Sequence, residues 1–300
     1  MGGEKAGWRR LPPSCFLVLA AVLFSVNFLL GKVLVGQVPP FTLSVLRWGV
    51  VAAVLYPLVG RGRRLPPAGK WAVFWLLGAT GVLANSVIYL ALARTSAVSA
   101  GIVNAATPAA AFFLAWPLAG ERPTALRFGG IMLSLGGVAV LLLPPGAGWH
   151  PNAGDLLMLI NVVGWSLYTI LGRWLMHRTG VSPQGLLLWT ATAGILELLP
   201  LSAGELYADR VHLGLLQGVQ VLAIGLFATA AAFWAWFQGT AVVGASRATA
   251  YMNLTPVVTA GVAVLFLGER VQSAQAVGGV LILAGVYLAA RSSGAKRGGP

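Results

Sequence analysis

Long apolar runs alternate with short polar or proline-rich breaks along almost the whole chain. Taking each run as one element gives spans near residues 12–35, 40–60, 69–93, 96–119 and 124–143, and a second set near 153–176, 183–203, 213–241, 244–267 and 272–290. Each approaches the roughly 20 apolar residues that a helix needs to cross a bilayer. The breaks carry turn chemistry: Val38-Pro39-Pro40, the stretch from Arg61 to Pro67, Gly120-Glu121-Arg122-Pro123 and Pro144-Pro145-Gly146. The pattern predicts an all-α integral membrane protein with ten transmembrane helices.

Composition agrees. Of 300 residues 58% are hydrophobic, and only 20 Lys and Arg and 7 Asp and Glu are charged, too few to cover a soluble surface. A net charge of +13 would suit nucleic acid on a soluble basic face, but no such face is available here, so nucleic acid is excluded as a partner. The basic residues act instead as a topology signal. With the N-terminus inside, 14 fall on the inner side (Lys5, Arg9, Arg10, Arg61, Arg63, Arg64, Lys70, Arg122, Arg127, Arg173, Arg178, Arg291, Lys296 and Arg297). Four fall outside (Lys32, Arg94, Arg210 and Arg270), and Arg47 and Arg247 lie within spans. This asymmetry predicts cytoplasmic termini at both ends. The run from Leu11 to Val35 follows a basic start but is too long for a signal peptide and lacks a small-x-small cleavage site, so it is read as the first span. A single Cys15 excludes an internal disulfide and a multi-cysteine metal site.

The chain repeats itself. Shifting it by 148 positions sets Ala93–Val138 on Ala241–Val286 without a gap and with 14 identities in 46 positions. Thr107-Pro108 falls on Thr255-Pro256, Gly120-Glu121-Arg122 on Gly268-Glu269-Arg270, and Gly130 and Gly137 on Gly278 and Gly285. A shift of 141 sets Phe24, Asn27, Gly31 and Lys32 on Trp165, Tyr168, Gly172 and Arg173, and the second and seventh spans share Pro57 and Pro200. Each half therefore holds five spans, residues 12–143 and 153–290, and an odd number inserts the second copy upside down. Inverted repeats with substrate held between them recur in transporters. A duplication that serves stability alone is the alternative.

These segments, "TPAAAFFLAWPLAGER" and "TPVVTAGVAVLFLGER", each followed by a glycine-containing span, resemble the drug/metabolite transporter superfamily, in particular its bacterial ten-span branch built from two EamA domains. The resemblance implies a fold of two inverted five-helix repeats in the bacterial inner membrane and export or exchange of small metabolites. Within that branch the aromatic-rich interior is similar to exporters of aromatic amino acids and methyl viologen.

Enzyme signatures are absent: His150, His177 and His212 fall in predicted loops, and no HExxH, P-loop, GxSxG or zinc spacing occurs. The reading is a transporter, not an enzyme, with no cofactor and no metal; its partners are a small-molecule substrate and the bilayer, and it is a monomer or homodimer. Candidate cavity residues lie on helical stripes. Phe24 and Asn27 on the first span match Trp165 and Tyr168 on the sixth, with Asn161 one turn before. Asn85 and Tyr89 on the third match Phe233 and Phe237 on the eighth, with Trp236 beside them. Asn104 lies on the fourth span, and Tyr251 and Asn253 precede Pro256 on the ninth. Polar residues here either face substrate or hold helices together. Aromatic faces suit planar or cationic ligands.

Pro108 and Pro256 are candidate gating residues, because each should kink or open its helix at a matched position. Arg47, about 10 Å into its span, has three readings: it snorkels to the outer interface, holds a substrate carboxylate, or pairs with Glu197. The expected function is alternating-access export of aromatic or hydrophobic amino acids and related amphiphiles. A same-fold transporter of another small metabolite and a membrane-embedded enzyme are the rivals.

Overall fold

The computed structural model describes residues 12–59, 69–104, 106–119, 125–142, 152–208, 214–243, 248, 251–252, 254–268, 271 and 273–291. The regular elements among these are helices: α1 (Pro13–Leu34), α2 (Pro40–Leu58), α3 (Trp71–Gly78, continuing through Ala79–Leu83 into Ala84–Leu92), α4 (Ala97–Asn104), α5 (Thr107–Ala119) and α6 (Ala125–Leu142). They continue as α7 (Ala153–Thr179), α8 (Pro183–Ala208), α9 (Leu215–Ala223, then Ile224–Ala231 and Ala232–Val243), α10 (Leu254–Leu267) and α11 (Ser273–Arg291). Six of them, α1, α2, α3, α7, α8 and α9, are long and apolar enough to cross a membrane. Helices suit that setting because each satisfies its backbone hydrogen bonds within its own segment.

Local signals account for the ends. Proline is the first residue of α1, α2 and α8, where its missing N–H would have been unpaired anyway. In α7 the Asn152 side chain accepts from the Gly154 N–H at 2.8 Å, and Gly180 closes the helix at φ 65°, a left-handed conformation that glycine adopts without strain. The α2 N-terminus is capped from afar: the Glu205 carboxylate at the end of α8 accepts from the Phe41 and Thr42 N–H groups at 3.0 and 2.8 Å. An anion there meets the positive end of the helix dipole.

The span expected over 96–119 is broken. α4 stops at Asn104 and α5 restarts at Thr107, placing Pro108 in the first turn of a new helix, where proline does no damage to the hydrogen-bond ladder. α3 and α9 are locally widened into π-helix over Ala79–Leu83 and Ile224–Ala231. At the offset of 148 the first of these falls on 227–231, inside the second.

Helix packing is reciprocal between the halves. α1 lies against α9 and α10, while α7 lies against α3 and α5. α6 and α11 pack together at glycines: a Cβ on Gly137 would come 2.6 Å from the Gly278 carbonyl and 2.8 Å from the Ile282 N, and one on Gly285 would collide with the Gly130 carbonyl and the Ser134 N. Under the offset of 148 the first contact becomes the second. These glycines therefore serve close packing within one chain.

Candidate functional site

A cavity of about 30 Å³ opens at the centre of the bundle between α1, α3, α4, α7 and α9. It is lined by Phe24, Asn27 and Phe28 of α1, Asn85 and Ile88 of α3, Asn104 of α4, Asn161 and Trp165 of α7, Ala228 and Phe233 of α9, and Met252. A water needs roughly 10–15 Å³ of such space, so the cavity has room for about two waters and not for an amino acid.

One side of the cavity is a hydrogen-bonded chain. Arg47 donates from Nη1 to Asn27 Oδ1 at 3.2 Å and from Nη2 to Asn85 Oδ1 at 2.5 Å. Asn85 Nδ2 donates to Asn161 Oδ1 at 3.0 Å, and Asn161 Nδ2 to Asn104 Oδ1 at 3.4 Å. Tyr89 donates its hydroxyl to Asn27 Oδ1 at 2.8 Å, and its ring sits 5.0 Å from the guanidinium carbon. All six residues are buried, Arg47 to 1% exposure. Arg47 thus neither snorkels nor pairs with Glu197, whose Oε2 has no partner among the described residues. The reason is local: two amides and two aromatic faces, Tyr89 and Trp48 at 5.5 Å, receive the guanidinium inside the bundle.

The other side is aromatic. Phe24 meets Trp165 and Phe233 edge to face, each at 5.4 Å between ring centres, and Trp165 meets Phe233 at 5.1 Å. Tyr168, Trp236 and Phe237 form a fully buried second layer behind these rings, and Trp48 closes on Phe233 at 5.1 Å. The π-helical stretches of α3 and α9 end shortly before Asn85 and Phe233, which turn toward the cavity.

Of the residues chosen from sequence stripes, Phe24, Asn27, Asn85, Asn104, Trp165 and Phe233 line the cavity. Tyr89 stands behind Asn27, Tyr168 and Phe237 support the aromatic wall, and Tyr251 is half-buried against the same core. Pro108 is in the first turn of α5; Pro256 falls in α10, and its side chain lies outside the described residues. Asn253, Arg247, His150, His212, Glu121, Arg122, Glu269 and Arg270 also lie outside them.

Sequence reading missed Ser25 and Ser166. Each hydroxyl is shared between the carbonyl four residues back in its own helix (Ala21 at 3.0 Å, Val162 at 2.8 Å) and, at 3.2 Å, that of the threonine before the opposite half's proline, Thr255 for Ser25 and Thr107 for Ser166. They stand 141 positions apart, next to Phe24 and Trp165, and that offset was the available signal.

Two stretches of the chain, residues 11–143 and 152–291, match the model of the EamA-like transporter family. The chain belongs to that family. It is 27% identical over 283 residues to the "Probable terminal-alkyne amino-acid exporter" of Streptantibioticus cattleyicolor, covering 94% of both chains. It is 26% identical to the "Probable amino-acid metabolite efflux pump" of Escherichia coli, covering 90% of this chain and 92% of that one. An "Uncharacterized transporter" of Archaeoglobus fulgidus is 24% identical over 91% of this chain and 95% of its own. A solved crystal structure with 23% sequence identity shares the fold at a TM-score of 0.67, over 93% of this chain and 98% of that one. The EamA-like transporter described here is thus a multi-pass membrane protein.

Proposed function

We propose that the protein exports aromatic or hydrophobic amino acids and related small amphiphiles across the bacterial inner membrane, with both termini in the cytoplasm. It does so by alternating access between two inverted five-helix repeats, residues 12–143 and 153–290. The observation that carries this reading is the two-sided cavity: amides anchored on Arg47 on one side, Phe24, Trp165 and Phe233 on the other. That division suits a ligand with one polar and one flat apolar end. The exporter relatives named for amino acids support the same substrate class.

Alternating access is supported by the paired contacts. The reciprocal Gly137–Gly278 and Gly285–Gly130 packing is what a pseudo-twofold axis between the halves requires. Ser25–Thr255 and Ser166–Thr107 are matched links across the boundary that must slide when access changes sides. Pro108 and Pro256 lie one residue beyond those links and act as the gates.

Proteoliposomes loaded with radiolabelled tryptophan, phenylalanine or leucine test this reading. Saturable efflux that is absent from empty vesicles is expected. Chemical conversion of the label without movement would instead favour an enzyme, and no movement of any of the three would favour another metabolite.

A further inference from the structure

Chemistry fixes the direction of the hydrogen bonds on the polar wall. A guanidinium only donates, so the amides that face Arg47 must present oxygen to it, as Asn27 and Asn85 do. Asn85 is then left with N–H toward Asn161, which receives it on oxygen and passes N–H to the oxygen of Asn104. Every amide oxygen of the chain accepts a bond already, and the Asn27 oxygen accepts two. The polar groups left without any bond toward the cavity are donors. Asn27, Asn104 and Trp165 line it, and among the described residues the two Nδ2 groups and the buried indole N–H donate to nothing.

The charge points the same way. Arg47 is buried without a carboxylate partner among the described residues, and an uncompensated buried cation costs several kcal/mol. In a low-dielectric interior its field is passed along the polarised amides rather than screened. We infer that the cavity binds its substrate by a carboxylate, received on the donor ends of Asn27 and Asn104, and excludes amphiphiles whose only charge is positive. This rests on the proposed transport site and narrows its ligands: an aromatic wall alone would accept organic cations equally well, whereas a donor-terminated chain rooted in a guanidinium repels them. Arg47 is a positioning residue here, acting through the asparagines.

Calorimetry on the purified full-length protein in nanodiscs, with two pairs of probes, tests this. Indole-3-propionate and tryptamine share a ring and differ in charge; 4-methylpentanoate and 3-methylbutylamine do the same without a ring. Each carboxylate should bind at least about tenfold more tightly than its paired amine, the difference a charge-assisted hydrogen bond makes. Arg47→Gln should erase the preference while the melting temperature reports on folding. Asn104→Asp, which places an acceptor at the end of the chain and leaves Arg47 in place, should reverse it even if Arg47→Gln does not fold. Equal or tighter binding of the amine in either pair, unchanged preference in Asn104→Asp, or no binding of any probe would overturn the inference. If only the aliphatic pair binds, with the carboxylate preferred, the inference stands and the aromatic substrate class proposed above falls.

Discussion

At five matched positions around the cavity the two halves carry different chemistry. Asn27, Arg47, Asn85, Tyr89 and Asn104 correspond, at offsets of 141, 143 and 148 positions, to Tyr168, Thr190, Phe233, Phe237 and Met252. At these positions the first half presents amides, a phenol and a guanidinium where the second presents rings, a hydroxyl and a thioether, while Asn161 of the second half joins the polar side and Phe24 of the first joins the rings. Away from the cavity the copies agree: Gly31 packs on Tyr89 as Gly172 packs on Phe237, and Ser25 bonds Thr255 as Ser166 bonds Thr107. The difference separates two demands. Contacts that hold or slide the halves must fit equally well on both sides, so they keep their symmetry. A cavity that holds the proposed ligand, with unlike ends, has to lose it.

The most damaging way to break this comparison is to make the polar wall copy the aromatic one. Asn85→Phe removes the link between Arg47 and Asn161 and fills a small cavity, so efflux should fall by at least about a hundredfold, as misplacement of a binding group does, with the protein still inserted in the membrane. Retention of the parental rate would show that the polar chain is packing only.

A smaller loss is expected from the aromatic wall. Trp165→Ala and Tyr168→Ala should each weaken the apparent affinity for tryptophan by about tenfold, given the worth of edge-to-face ring contacts, and Trp165, which lines the cavity, should show the larger change. Equal concentration dependence in parent and both variants would remove the rings from the site.

The proposed gates, Pro108 and Pro256, sharpen the symmetric side of the comparison. Pro108→Ala and Pro256→Ala should each slow efflux by a few-fold and shift the inward–outward balance in opposite directions, because a ligand's apparent affinity follows the population of its competent state. Cysteines introduced at Arg122 and Arg270 in a Cys15→Ser background report accessibility on the two sides. Labelling of both from the same side would sink the inverted arrangement.

The smallest effect belongs to the serines. Ser25→Ala and Ser166→Ala should each destabilise by about 1 kcal/mol, the usual net worth of one hydrogen bond, and by similar amounts in thermal unfolding. A markedly larger loss in one would mean that the links are not equivalent.

Much of this was legible before any coordinates. Helix starts at Pro13, Pro40 and Pro183, the long apolar runs and the repeat offsets follow from residue type and spacing. Six of the ten residues picked as substrate-binding line the cavity, because helical periodicity identifies the face on which a residue lies. Asn161 belonged to the same stripe as Trp165 and completes the polar chain. Periodicity could not rank Tyr168 and Phe237 behind Trp165 and Phe233, since depth from a cavity depends on how far neighbouring helices approach.

Apolar length, turn residues and the offset between copies by themselves determined a membrane-embedded helical chain with a duplicated pattern, because those properties act within one segment or between identical ones. The fate of Arg47 was decided only in three dimensions. Seven residues into α2, its side chain is long enough to reach an interface or to turn inward, and a single helix offers no reason to prefer either. Asn27 from α1 and Asn85 and Tyr89 from α3 supply the oxygens and the aromatic face that hold it inside. The break after Asn104 is by contrast local: Pro108 has no N–H for the Asn104 carbonyl four residues back, and the neighbouring Thr107 hydroxyl donates to that carbonyl instead at 2.5 Å.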